Sequence, residues 1–181
     1  MTTKGVILYG PPTSGKDTIT AELTRQDTRF TLLPKLKAGT GRSRGYRAVT
    51  AEELEKLRAD GRLPVETARY GNVYAVDRQD VETIAASGRI PVVHMGNVAD
   101  LTRLRDAVPL DWLAVLLWIP REVCAERSAG RGDADTADRL RAWDETRTDL
   151  DEAGTGVFDL EIRTDEVTPS EAARRIITAA G

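Results

Sequence analysis

Gly10-Pro11-Pro12-Thr13-Ser14-Gly15-Lys16, set between a short apolar run and a helix-patterned one, restricts the folding of this chain more than any other stretch of it. Its glycines let successive backbone N–H groups face inward as an anion nest, and a helix begun at Gly15 adds its positive dipole end. Lys16 then stands within reach of the β- and γ-phosphates of a bound nucleotide. Both flanks agree independently, because Val6 to Tyr9 reads as a strand and Lys16 to Arg25 carries Ile19, Ala21 and Leu23 at helical spacing. The strict motif has Ser or Thr after the lysine, and Asp17 stands there instead. Thr18 offers a hydroxyl one step on. Asp17 is either a hard oxygen ligand for Mg²⁺, directly or through water, or an acidic residue favoured in a first helical turn by the dipole.

The strand-then-helix rhythm recurs. Ile90 to Met95 precedes a helical pattern from Asn97 to Ala107, and Trp112 to Ile119 precedes a helix opened by Pro120, whose fixed φ suits a first turn. A last strand is expected over Val157 to Arg163, and a last helix from about Pro169 to Ala180. Such alternation predicts right-handed crossovers and a largely parallel sheet covered on both faces, an α/β fold in one domain. Residues 35–74 and 127–153 break the rhythm. The first stretch is rich in Gly, Arg and short β-like runs around a helix at Ala51 to Ala59. The second is almost wholly charged, enters through Gly130 and Gly132, and shows helical spacing at Ala137, Leu140 and Trp143. Both are expected to move and close over ligand, leaving residues 1–34, 75–126 and 154–181 as the core.

Composition narrows the function classes. The longest apolar run, Trp112 to Ile119, falls far short of the roughly 20 residues of a membrane span. Met1 to Gly5 are polar and small and lead straight into a strand, so a cytoplasmic protein without a secretory signal is expected. One cysteine, Cys124, and one histidine, His94, argue against a disulfide framework and a Cys/His zinc site. Cys124 reads as core packing. A net charge of −3 argues against non-specific nucleic-acid binding, so any anion must be held by local groups.

Further segments extend the loop into a chain-wide pattern. Leu63-Pro64-Val65-Glu66, Gly71-Asn72-Val73-Tyr74, Cys124-Ala125-Glu126-Arg127-Ser128-Ala129-Gly130-Arg131-Gly132, Ala137-Asp138-Arg139-Leu140 and Phe158-Asp159 follow one another in order. In that order and spacing the chain resembles the guanylate kinase family over nearly its whole length, least between Phe30 and Arg47. The resemblance implies a three-layer P-loop kinase fold with a mostly parallel five-stranded core sheet, an acceptor-binding segment over 35–74 and an arginine-bearing lid over 127–153. It also implies ATP, Mg²⁺ and a small phosphorylated acceptor. Carried over by position, Glu66 matches the carboxylate that reads a guanine edge, and Tyr46 and Tyr74 match the tyrosines that hold the acceptor phosphate. Lys37, Arg42 and Arg44 are the candidates for the family's acceptor-side arginine pair. Arg127, Arg131 and Arg139 match lid arginines that clamp donor phosphates, a placement worth roughly a thousandfold or more in rate. A monomer or homodimer is expected, with no nucleic acid or membrane as partner.

The departures concern the acceptor. Two aspartates usually follow the family's third strand, whereas here the run is Val92-Val93-His94-Met95-Gly96-Asn97. After Tyr74, Ala75 and Val76 replace the usual Gly and Ser/Thr. These features resemble the ribose bisphosphate phosphokinase of phosphonate breakdown, whose loop also carries Gly-Lys-Asp and whose third strand ends in a glycine-containing turn before Ala-x-Leu, here Ala99-Asp100-Leu101. Glu66 does not belong to that pattern and pulls back toward a base. His94 falls at the carboxyl end of a parallel strand, where ligands of open α/β sheets bind, so it is either an acceptor contact or a structural group. Three functions follow: a kinase acting on a guanine or related nucleoside monophosphate or else on a sugar phosphate, a non-catalytic binding module on the same scaffold, and a nucleotide-dependent regulatory ATPase. The intact Gly10, Gly15 and Lys16 favour the kinase.

Overall fold

The computed structural model describes residues 2–69, 71–132 and 135–181. The first half of the chain forms β1 (Lys4–Tyr9), α1 (Lys16–Gln26), β2 (Phe30–Leu32), β3 (Lys35–Ala38), β4 (Tyr46–Ala48), α2 (Ala51–Ala59), β5 (Val65–Arg69) and β6 (Asn72–Val76). The second half forms α3 (Arg78–Ala86), β7 (Ile90–Met95), α4 (Val98–Ala107), β8 (Asp111–Trp118), α5 (Arg121–Gly130), α6 (Thr136–Ala153), β9 (Leu160–Arg163) and α7 (Pro169–Ala180).

The apolar runs become the middle of a five-stranded, wholly parallel sheet in the order β2-β7-β1-β8-β9. Alternate residues of β1 feed opposite faces. Val6 and Leu8 join Ile19 and Leu23 of α1 and Ala172, Ala173 and Ile176 of α7 in one buried cluster. Ile7 and Tyr9 join Val81 of α3 and Leu101 and Leu104 of α4 in the other. This is the α/β layering expected of strands that are apolar on both faces.

Residues 35–76 form a second sheet of four strands in the order β4-β3-β6-β5. One of its faces packs Leu36 and Ala75 against Leu54 of α2. In its register Lys35 stands opposite Tyr46, and Lys37 and Thr67 both stand opposite Tyr74, which gathers these side chains on the other face. The excursion thus runs through Val76, past the expected boundary at Tyr74, because β6 pairs with β5 along its whole length.

Two further differences from the sequence reading have local causes. The strand expected over 157–163 begins at Leu160, since Asp159 spends its amide on the Ala114 carbonyl and its carboxylate on the Ala114 amide (2.9 and 2.8 Å). Pro120 is the N-cap of α5, with extended ψ, and not a residue of the first turn. Within the charged stretch 127–153, α6 is tied to the core by residues 143–149. The Trp143 indole donates to the Ile119 carbonyl (2.9 Å), Arg121 pairs with Asp144 (2.8 Å), and the Asp149 carboxylate accepts from the Tyr9 hydroxyl (2.6 Å) and the Val98 amide (2.9 Å). Among the described residues no helix is long and apolar enough to cross a membrane.

Candidate active site

The turn between β1 and α1 is built against its neighbours at two glycines. A Cβ on Gly10 would sit 2.3 Å from the Leu117 carbonyl oxygen and 2.7 Å from Ser14 Oγ, and Gly15 adopts φ 95° as the N-cap of α1. Thr13 is the one described non-glycine residue with positive φ, 62°, a backbone cost of the sort that collects at ligand sites. The loop is held from behind. Arg127 donates to the Thr13 carbonyl (2.9 Å) and the Thr164 carbonyl (2.8 Å), Thr164 Oγ1 donates to the Ser14 carbonyl (2.7 Å), and Cys124 Sγ contacts the Pro12 carbonyl (3.4 Å). Thr13 Oγ1 and Ser14 Oγ are buried with no hydrogen-bond partner. Such orphaned hydroxyls in a loop of this glycine spacing, ahead of a helix N-terminus, fit a triphosphate tail. Lys16 folds over the loop, its Nζ donating to the carbonyls of Gly10 (2.7 Å) and Pro11 (3.1 Å). Burial pushes its ammonium down to about 8, against the pull of neighbouring Asp17.

A cavity of about 370 Å³ opens over this loop. Its walls include Gly10, Pro12 to Thr18, Lys35, Arg69, His94, Arg131 and Arg139. His94 hydrogen-bonds Thr20 Oγ1 through Nε2 (2.8 Å). Thr20 donates its own proton to the Lys16 carbonyl (2.7 Å), so the imidazole must be the donor to Thr20 and carries its proton on Nε2. Nδ1 is left as an acceptor 3.7 Å from Asp17 Oδ1. Burial, reinforced by the Lys16 charge, pushes the His94 pKa down to about 3, which keeps the ring neutral. Two acceptors that face each other leave a position for a donor between them, which fits a metal-bound water or a ligand hydroxyl. No group of three or more His, Cys, Asp or Glu among the described residues could hold a metal ion, so Mg²⁺ here would need the nucleotide phosphates as well as Asp17 and Thr18.

A second cavity, of about 300 Å³, lies beneath the second sheet and shares Lys35, Tyr46, Arg69, Met95 and Gly96 with the first. Tyr46 and Tyr74 line it with ring centroids 5.2 Å apart. At its far end Asp100 is buried, accepting at Oδ2 from Thr67 Oγ1 (2.9 Å) and Asn97 Nδ2 (2.7 Å) and at Oδ1 from Arg103 (2.8 Å). A side cavity of about 280 Å³ joins Arg42, Arg44 and Gly45 to Asp17, Lys35, Tyr46 and His94.

The sequence-named residues therefore divide. Gly10, Pro12 to Thr18, Tyr46, Tyr74, His94, Arg131 and Arg139 converge on the first two cavities, and Arg42 and Arg44 reach the side cavity, whereas Pro11 lines neither of the first two and offers its carbonyl to Lys16 and the Ser14 amide. Arg127 does not line the loop cavity, because its guanidinium is committed to the two backbone carbonyls behind the loop. Lys37 is buried beneath the two tyrosines and donates to the Arg42 carbonyl, so it braces the 39–45 turn. Glu66 lies outside the acceptor cavity. On β5 it alternates with Val65 and Thr67, which line that cavity, and its carboxylate is taken by Arg58 of α2 (2.8 Å). Sequence reasoning missed Lys35, Thr67, Arg69 and Asp100. The period-2 pairing of Lys35 with Lys37 and the N-cap signal Asn97-x-x-Asp100 were the available cues.

A family model described as chloramphenicol phosphotransferase-like protein matches residues 3–180. The chain belongs to that family. It is a phosphotransferase of the P-loop kinase type, and P-loop kinases generally use ATP and Mg²⁺. Among solved structures, this member of the chloramphenicol phosphotransferase-like family is similar to guanylate kinase from Anaplasma phagocytophilum, with a TM-score of 0.69, 15% identity, and 98% of this chain and 84% of that one covered. It is also similar to the YorR protein from Bacillus subtilis in complex with phosphorylated GDP (TM-score 0.55, 16% identity, 96% and 94% covered). A third likeness is to shikimate kinase from Acinetobacter baumannii in complex with shikimate (0.50, 16%, 99% and 93%). At these identities the likenesses establish the fold alone. No curated protein matches the sequence.

Proposed function

We propose that this phosphotransferase moves the γ-phosphoryl group of ATP·Mg²⁺ to a small phosphorylated acceptor held beneath the second sheet. The observation that carries the reading is the shared wall of Lys35, Tyr46, Arg69, Met95 and Gly96, across which a triphosphate on the loop and an acceptor in the second cavity would face each other. The protein's part is then alignment and charge neutralisation. Lys16 would leave the Gly10 and Pro11 carbonyls to hold the β- and γ-phosphates, while Arg131 and Arg139 would close from the lid and keep out the water that competes for the phosphoryl group. A magnesium ion held by Asp17, Thr18 and the phosphates would neutralise charge on the β- and γ-oxygens.

The cations Lys35, Arg42, Arg44 and Arg69 around the tyrosines suit an anionic acceptor. A guanine or related nucleoside monophosphate and a sugar phosphate both meet that requirement. The turned Glu66, held by Arg58, supports the sugar phosphate, since the carboxylate expected to read a guanine edge faces away. Asp100 would take a hydroxyl donor of such a sugar. An ADP-release screen with ATP against nucleoside monophosphates, phosphorylated sugars and chloramphenicol tests the reading. Release stimulated by a phosphorylated acceptor is expected. Stimulation by chloramphenicol alone would refute the requirement for an anion, and release indifferent to every acceptor would indicate a regulatory ATPase.

A further inference from the structure

Lys35 has no counterpart in the motifs read from the sequence, and its setting is unusual for a lysine. It opens β3 directly after Pro34, where the chain passes from the core sheet to the second sheet. Its backbone is pinned on both sides, by the Leu33 amide donating to the Val92 carbonyl (2.9 Å) and by Leu36, which is fully buried. The side chain lines the loop cavity, the acceptor cavity and the side cavity. Among the described residues it makes no hydrogen bond or ion pair, in contrast to Lys16, which bonds two carbonyls, and Lys37, which bonds the Arg42 carbonyl. Burial pushes its ammonium down to about 8, and Arg69 adds to that effect against the opposing charge of Asp100. Half-buried, facing three cavities and with its protons spent on no protein acceptor, the ammonium is left available to a ligand anion.

Resting on the kinase reading above, we propose that Lys35 is the anion-binding residue that holds the acceptor's phosphate at the junction of the cavities, facing the γ-phosphoryl group. It takes there work for which the sequence offered Lys37, Arg42 and Arg44 as candidates. In the transfer, a phosphate oxygen of the acceptor forms a bond to the γ-phosphorus as that phosphorus loses its bond to the β,γ-bridging oxygen, and ADP leaves with the electron pair. No proton moves when the attacking group is an oxyanion. Lys35 binds that oxyanion and relieves its repulsion from the triphosphate, a repulsion that otherwise keeps two polyanions apart. Lys37 only braces the turn beside it.

The test needs no knowledge of the natural acceptor. With a non-hydrolysable ATP analogue and Mg²⁺ saturating the loop, inorganic phosphate titrated by calorimetry reports the acceptor side. The wild type is expected to bind phosphate, Lys35→Met to bind it at least about tenfold more weakly, and Lys35→Arg to stay within about threefold of wild type, tenfold being about 1.4 kcal/mol. Thermal unfolding checks that the methionine variant is folded, and the arginine variant carries the test if it is not. Phosphate binding unchanged in Lys35→Met, or absent in a wild type that holds the nucleotide, overturns the assignment of Lys35. Failure of the wild type to bind the nucleotide overturns the kinase reading itself.

Discussion

Arg127 distinguishes a residue that builds the loop from one that acts on its ligand. In the guanylate kinase pattern that the sequence resembles, its position matches arginines that clamp donor phosphates, yet its two guanidinium nitrogens donate to the carbonyls of Thr13 and Thr164, tying the loop to the end of β9. Arg127→Met keeps most of the stem and removes both donors. Each hydrogen bond from a charged donor contributes about 1.5–3 kcal/mol, and water can reach part of the site, so a total near the lower end, about 3 kcal/mol, is expected. In a chain of 181 residues each kcal/mol moves the midpoint by about 2–4 °C, which gives a drop of about 6–12 °C. Thermal unfolding followed by circular dichroism, without ligand and with ADP, reads both consequences. The freed Thr13 carbonyl should also loosen the amide ring, so stabilisation by ADP should shrink. An unchanged midpoint with a rate lowered a hundredfold or more would refute this reasoning and return Arg127 to the phosphates.

Three other outcomes follow from the site. His94 is neutral in the folded protein with its pKa near 3 and ordinary when unfolded, so below about pH 6.5 the unfolded state binds the extra proton; stability should fall by about 1.4 kcal/mol per pH unit between about pH 6 and pH 4, and His94→Gln should lose that component of the slope in urea unfolding. Glu66→Gln breaks only a half-exposed pair with Arg58, so stability should change by less than about 1 kcal/mol and acceptor preference not at all; a tenfold rise in the apparent KM of a guanine acceptor would contradict the orientation of Glu66. Asp17→Ala should raise the Mg²⁺ needed for half-maximal rate several-fold, and an unshifted titration would leave Asp17 as a dipole residue only.

The core of the fold was legible because its signals are local. The strand before Gly10, the helix after Gly15, β7 and α2 fall where apolar period and caps put them, α2 opening on a full capping box at Thr50 and Glu53. β2 escaped because three residues carry too little pattern, and α3 because its apolar Val81, Ile84 and Ala85 cover one short stretch after the Asp77 cap. The candidate site was half legible. Residues fixed by the loop's own spacing converge, whereas those on the second sheet depend on pleat parity, and spacing alone does not say which face of β5 looks inward. Thr67 faces the cavity and Glu66 does not, a one-residue difference with opposite chemistry. Lys35 and Lys37 share a face by parity, but only the pinning of Leu33 and the position of the tyrosines decide which ammonium is spent internally. Asp100 was hidden by its distance from the third strand, since the helical turn that follows Asn97 is what swings it back to Thr67.

The proposed phosphoryl transfer between two cavities that meet at Lys35 and Arg69 is best tested by following the phosphorus itself. ATP labelled at the γ-position, incubated with Mg²⁺, the protein and a panel of nucleoside monophosphates and phosphorylated sugars, should yield label in a new organic phosphate. That label should vanish in Lys16→Ala. Label found only in inorganic phosphate, or retained wholly in ATP across the panel, would contradict the account.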